Sequence, residues 1–417
     1  MGITQQLILN LILVLAVAWA FASLFVRFGL PVILGQMLAG FLLGPAVFGI
    51  IQNSEPLELM AEFGIFFAMF YAGMEMDPKE LMEHIWPSLL VAIGGFCLPF
   101  VLGYITIKLF GGTMYQALFV GMGLSITAIA VQATVLQEMK ILKSDIGHII
   151  IGAAIADDIL ALVALSILLG LAKKGTIEMV PLFFIVLKVV AFFGLTIALG
   201  HFVIPKITPR LDDREAKGFT FAILAALIMS ALAEVAGLHL IIGAFLAGQF
   251  VRKETLDVKI YEKIRDRFFG LSHGFLLPIF FVSLSFHLHL KFTASFLLMS
   301  TVITLIAIIG KLLGSGLGAY ISGQKPLQSL IIGFGMNGRG AVELAVAAVV
   351  LELSNELMKN KVISAPLLTD DQFACLILMA FITTLIAPLT LKWSVMRSCE
   401  PKEKEHFCEL WDKGKCM

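Results

Sequence analysis

Asp157 and Asp158 stand side by side in the apolar stretch Ala153-Ala154-Ile155-Ala156-Asp157-Asp158-Ile159, and Lys311 stands in Ile308-Ile309-Gly310-Lys311-Leu312-Leu313. Arg339 and Glu343 lie four residues apart, the spacing that puts two side chains on one helical face. Neighbouring residues are turned by about 100° around a helix, so one lysine neutralises only part of the charge of two adjacent aspartates. A base that claims one carboxylate leaves the other to hold a proton or a monovalent cation, because hard cations take oxygen ligands. Competition of two cations for one carboxylate is sufficient for exchange, provided the empty charged site cannot cross a barrier. Ser125, Thr127 and the carbonyls around them supply further oxygens. For Arg339 and Glu343, a neutralised pair bracing its own helix is an equal reading.

The elements that must position these groups follow from composition. Of 417 residues, 59% are hydrophobic and 14% charged, and the mean hydropathy is +0.96. A soluble domain carries about 25% charge and 45–50% apolar residues. The arithmetic excludes a disordered chain, a collagen, a disulfide scaffold and an ordinary soluble enzyme, and it describes an integral membrane protein. Thirty basic residues balance thirty acidic ones, so no excess charge suggests a nucleic-acid partner. Thirteen apolar runs approach the roughly 20 residues that span a bilayer. They lie near 6–27, 30–50, 57–76, 85–110, 113–138, 145–171, 178–203, 216–236, 238–251, 266–286, 294–321, 326–352 and 371–395. The short run at 238–251 is expected to extend into the polar stretch after it. No period-2 alternation supports a barrel. The first run lacks a basic leader and is kept as a helix.

An aspartate, lysine or arginine at bilayer depth costs about 2.5–3.5 kcal/mol, so five such groups cost roughly 13–17 kcal/mol unless they pair or line water. Lys188, Glu62 and Glu234 have blander readings, as a snorkelling cation and as braces near helix ends.

Lysine and arginine set the expected orientation. With the N-terminus outside, 21 of the 30 fall on the inner side, 6 on the outer side and 3 within helices. That makes the C-terminus cytoplasmic, in a multi-pass protein of the cell inner (plasma) membrane. Thirteen helices divide as six, a linker and six, so the second six are inverted relative to the first, as in many secondary transporters. The fifth helix of each half is interrupted. The first interruption holds Gly121, Gly123, Ser125 and Thr127; the second holds Gly333, Gly335, Asn337, Gly338, Arg339 and Gly340. Close helix packing is the commoner use of such glycines; their matched position favours a break.

With these residues in place the chain resembles the monovalent cation:proton antiporter superfamily, in its NapA-type and Kef-type branch. The resemblance rests on Ala156-Asp157-Asp158, Gly310-Lys311, the Thr127 segment, and Gly335 through Leu344. Gly35-Gln36-Met37-Leu38-Ala39-Gly40 with Gly44-Pro45 is similar to the branch's second helix. It covers essentially all thirteen helices and implies a homodimer in the lipid bilayer. Scaffold helices would occupy 1–76 and 206–290. Moving-core helices would occupy 77–174 and 291–397, with a linker helix at 175–205 and a short tail at 398–417. The discontinuous fifth and twelfth helices would cross where they unwind. Asp158 is implied to carry the ion and the proton, Asp157 to pair with Lys311, and Arg339 and Glu343 to compensate charge. Two acids and a lysine resemble the electrogenic members. Na+ is the favoured cation, with Li+ or K+ as alternatives. Kef-type potassium systems usually replace the first aspartate and append a nucleotide-binding domain, and neither feature fits. Pro-Arg-Gly-Glu is common at the second break of the branch, whereas here the glutamate falls later, at Glu343.

The rival readings are an intramembrane aspartyl protease, which needs aspartates on separate helices, and a cation channel, for which a lysine deep among the acids is ill suited. No HExxH or Ser/His pair is present. No cofactor is expected, and no metal beyond the transported ion. Cys399, Cys408 and Cys416 do not have zinc-ligand spacing.

Overall fold

The computed structural model describes residues 3–52, 54–174, 179–207, 217–288, 293–360, 363 and 365–399, with the side chains of 3, 4, 173, 174, 287, 341–345, 348, 352, 355, 356 and 399 outside that set. The described residues form α-helices and no strand. In chain order these are α1 (Ile3–Arg27), α2 (Val32–Leu43), α3 (Glu55–Glu75), α4 (Pro78–Glu83), α5 (Ile85–Leu109) and α6 (Met114–Ser125). Next come α7 (Ile129–Glu138), α8 (Asp145–Lys174), α9 (Met179–Ala198), α10 (Ile204–Ile207), α11 (Lys217–Ala236) and α12 (Leu240–Gly248). The last are α13 (Val258–Leu271), α14 (Leu277–Ser283), α15 (Ala294–Ile321), α16 (Pro326–Gly335), α17 (Ala341–Lys359) and α18 (Asp370–Cys399).

Every one of the thirteen apolar runs carries helix. Among the described residues ten segments are long and apolar enough to cross a membrane, and Val32–Leu43 and Pro326–Gly335 are shorter apolar helices. The two interrupted runs are broken as expected: α6 stops at Ser125 and α7 starts at Ile129, while α16 stops at Gly335 and α17 starts at Ala341. At the first break the backbone is extended, with ψ of 140° at Ile126 and 102° at Ala128. One expectation is corrected. The helix at 238–251 does not run on into the polar stretch; it stops at Gly248, and the Asp257 side chain accepts from the Lys259 N–H at 2.9 Å to start a new helix. An aspartate N-cap satisfies donors that helix propagation would otherwise have to satisfy, so the polar stretch opens α13.

Among the described residues two compact units form. The first takes Met1–Gly44, Gly49–Met82 and Phe183–Phe286; the second takes Pro45–Phe48, Glu83–Leu182 and His287–Met417. In the first unit backbones meet through small residues: a Cβ on Gly73 would strike the Phe245 carbonyl, and one on Gly248 the Phe70 carbonyl. Arg252 pairs with Asp77 at 3.1 Å on the same unit.

The second unit is organised around α5 and α15. Gly310, Gly314 and Gly318 recur every fourth residue on α15 and lie against Pro99, Gly94 and Leu90 of α5. Lipid tails are as apolar as leucine, so helices in a bilayer associate through such close van der Waals contact. The seam has a direct consequence for the charge on α15. Lys311 follows Gly310 by one residue and Ser315 follows Gly314, and both pack on Gly95. Two helices of this unit begin on the same local signal, Thr-x-x-Gln: Thr113 with Gln116 at α6, and Thr369 with Gln372 at α18, each pair making both reciprocal capping hydrogen bonds.

Candidate functional site

The site lies within the second unit and is assembled from four elements. α8 supplies Asp157 and Asp158, α15 supplies Lys311, and the two breaks supply the rest. Lys311 is fully buried, and its ammonium donates to Asp157 Oδ2 at 3.1 Å and to the Ser125 carbonyl. The α8 carboxylate and the end of α6 are thereby held by one cation.

Breaking a helix inside a bilayer leaves carbonyls without intrahelical partners, and lipid offers none. Two buried bases meet that need at the C-terminal end of α6, where the helix dipole also favours positive charge. Lys311 takes the Ser125 carbonyl. Arg339, fully buried, donates to the Ile126 carbonyl at 2.7 Å and to the Gly123 carbonyl at 3.4 Å. The breaks also touch through their backbones, the Ala128 N–H donating to the Gly338 carbonyl at 3.1 Å. A side chain on Gly338 would collide with the Gln132 amide, and one on Gly340 would crowd Ala128. Ile126 packs with Ala161, one helical turn beyond Asp157, which sets the first break against α8.

Among the buried oxygens some are spoken for and some are not. The Ser125 hydroxyl bonds to the Phe96 and Gly121 carbonyls, at 2.8 and 2.9 Å, so Ser125 enters the site through its main chain. Both oxygens of Asp158, Oδ1 of Asp157, the Thr127 hydroxyl and Oδ1 of Asn337 are buried with no hydrogen-bond partner among the described residues. Unpaired buried oxygen atoms are costly. Five of them, on α8 and on the two breaks that meet through Ala128 and Gly338, make an oxygen-rich set with the chemistry that a dehydrated monovalent cation or a proton requires.

Thr127 sits in the extended break between the Ile126 carbonyl, which accepts from Arg339, and the Ala128 N–H, which donates to the Gly338 carbonyl. Thr127→Ala will raise the apparent KM for the cation by about fivefold while lowering the maximum rate less, the loss of roughly 1 kcal/mol of ligand interaction. Cation titration of proton flux in vesicles checks it, and an unchanged KM removes Thr127 from the site.

Residues 12–397 match the family described as sodium/hydrogen exchanger, transmembrane. The chain belongs to that family. Among relatives, the exchanger is 32% identical to the Na(+)/H(+)-K(+) antiporter GerN of Bacillus cereus over 89% of this chain and 92% of GerN. It is 29% identical to the Na(+)/H(+) antiporter of Enterococcus hirae over 88% of this chain and 92% of the relative. Its fold is similar to that of the sodium proton antiporter MjNhaP1 of Methanocaldococcus jannaschii, with a TM-score of 0.74 at 19% identity over 97% of this chain and 100% of the other.

The residues singled out from sequence thus fall unevenly. Asp157, Asp158, Ser125, Thr127, Lys311, Arg339, Asn337, Gly338 and Gly340 gather around the crossing breaks. Gly335 is the last residue of α16, packed against Ile150 of α8. Glu343 is on α17 with its side chain outside the described residues, as is the pairing proposed for it with Arg339; the side chain of Cys399, and Cys408 and Cys416 entirely, are outside them as well. Two residues escaped the sequence reading. Gln132, buried one turn into α7, lies against Gly338 with its amide nitrogen unpartnered among the described residues. Thr384 of α18 bonds to the backbone of Arg339. For Gln132 a polar residue in an apolar helix was the available signal; for Thr384, beside the equally buried Thr383, the sequence held none.

Proposed function

We propose that the exchanger moves a monovalent cation, Na+ before Li+ or K+, against protons by alternating access, and that the exchange is electrogenic. The observation that carries this reading is Asp158. Its two buried oxygens lack partners among the described residues while the adjacent Asp157 is neutralised by Lys311. An isolated buried carboxylate is too costly to persist, so Asp158 holds either a proton or a cation, and occupancy by one excludes the other. The sodium/proton activities named for the relatives support the same assignment, and the K(+) in the name of GerN supports K+ as a second reading of the cation.

The division into two compact units supports a scaffold formed by the first and an ion-carrying core formed by the second. The 21-to-6 distribution of basic residues supports an outside N-terminus and a cytoplasmic C-terminus in the cell membrane. A homodimer is part of the proposal and comes from the family resemblance. The test is proton flux in proteoliposomes at clamped potential with Li+, Na+, K+, Rb+ or choline supplied in turn. Na+ and Li+ dissipate the pH gradient and choline does not. Proton movement without any exchangeable cation points to a channel, and no response to any of the four cations overturns the proposal.

A further inference from the structure

α18 carries two consecutive threonines, Thr383 and Thr384, both buried at helix-interior positions. They do different things. The Thr383 hydroxyl bonds back into its own helix, to the Met379 and Ala380 carbonyls at 2.8 and 3.1 Å. The Thr384 hydroxyl accepts from the Arg339 N–H at 3.2 Å and has the Arg339 carbonyl at 2.6 Å and the Ala380 carbonyl at 2.7 Å as acceptors for its proton. One hydroxyl therefore meets both backbone polar groups of a residue in the second break.

Arg339 has particular need of such a tether. It stands between Gly338 and Gly340, the residue type that restrains the backbone least. Its peptide groups lie outside α16 and α17. Its guanidinium must nevertheless reach the Ile126 carbonyl on the other broken helix, and a long side chain is held in one geometry only against its rotamer entropy. Fixing the near end at Thr384 makes the far end a defined contact.

We propose that Thr384 is a positioning residue of the exchange site. It fixes the Arg339 backbone, Arg339 in turn holds the end of α6, and the Thr127 oxygen is thereby kept in register with Asp157 and Asp158. The proposal rests on the exchange reading above.

The test compares Thr384→Val, Thr384→Ser and Thr383→Val in two measurements: cation titration of proton flux in proteoliposomes, and amide hydrogen exchange of the purified protein at residues 126–128. Thr384→Val will raise the apparent KM for Na+ by about tenfold with little change in maximum rate, and will speed amide exchange at the first break by a similar factor. Thr384→Ser, which keeps the hydroxyl, will restore both. Thr383→Val will leave both near the parent values. If Thr384→Val does not fold, Thr384→Ala takes its place in the same comparison. Faster amide exchange with an unchanged KM reduces Thr384 to a structural residue and overturns the proposal, as does an equal effect from Thr383→Val. A parent protein that responds to no cation sinks the exchange reading instead, and amide exchange at 126–128 then still decides whether Thr384 holds the break.

Discussion

Asp158→Asn reduces cation-dependent proton flux to that of protein-free vesicles while the protein still inserts and folds. Asparagine has nearly the shape of aspartate and leaves α8 packed as it is, so the fold has no reason to fail. What it removes is the alternation of charge. Asp158 has two buried oxygens without partners among the described residues, and Asp157 beside it is already paired with Lys311. A carboxylate there is neutralised by a proton or by a cation. An amide is neutral without either, binds a cation weakly through a single oxygen, and has no acidic proton to trade. The outcome separates Asp158 from its neighbour, because Asp157→Asn strips Lys311 of its counterion and is predicted to cost stability as well as activity. Vesicle flux and thermal unfolding of the same purified variant check it. Exchange at the parent rate would move the carrier role to another residue.

The parts of this site that were legible in the sequence are those where an expensive residue had to be explained. A charge in an apolar run announces itself because the membrane makes it costly, and Asp157, Asp158, Lys311 and Arg339 were found on that ground. The breaks were legible from four glycines within eight residues, at 333–340, and from the matching position of Ser125 and Thr127. The pairing of Lys311 with Asp157 was legible and is found at 3.1 Å; what Arg339 does was not. The pairing of Arg339 with Glu343 that their spacing suggests lies outside the described residues, and the side-chain bonds of Arg339 to the carbonyls at the end of α6 answer a need created by a break on another helix, which spacing along one helix does not reveal. Ser125 is a candidate ion ligand in the sequence, but which of its oxygens is available was not legible: the structure commits its hydroxyl to the Phe96 and Gly121 carbonyls. Thr384 was invisible for a related reason. Threonine is cheap in a helix because it can bond its own backbone, as Thr383 does, and nothing local distinguishes a residue that also reaches across to a distant chain segment. The seam of Gly310, Gly314 and Gly318 with α5 was not read from the sequence, because periodicity on one helix does not name its partner.

Lys311→Gln produces a protein that is less stable and whose exchange no longer follows membrane potential. The lysine and Asp157 both have no solvent-exposed side-chain surface and sit 3.1 Å apart. Removing one partner of such a pair strands the other, at a cost of about 3–5 kcal/mol, and here the stranded carboxylate adjoins a second one. The Ser125 carbonyl at the end of α6 loses a donor at the same time. Combining Lys311→Gln with Asp157→Asn removes the stranded charge, so the double variant will recover most of the lost stability, and the non-additivity measures the coupling. The transport consequence follows from counting titratable groups. With Lys311 present the site has a base in addition to its acids, enough to move more than one proton per cation and therefore net charge. Without it, Asp158 trades one proton for one monovalent cation, and no charge crosses per cycle. Thermal unfolding of the single and double variants, with flux measured across a series of clamped potentials, checks both halves. A Lys311→Gln protein as stable as the parent and equally driven by voltage would show that the buried pair neither supports the core nor sets the charge moved.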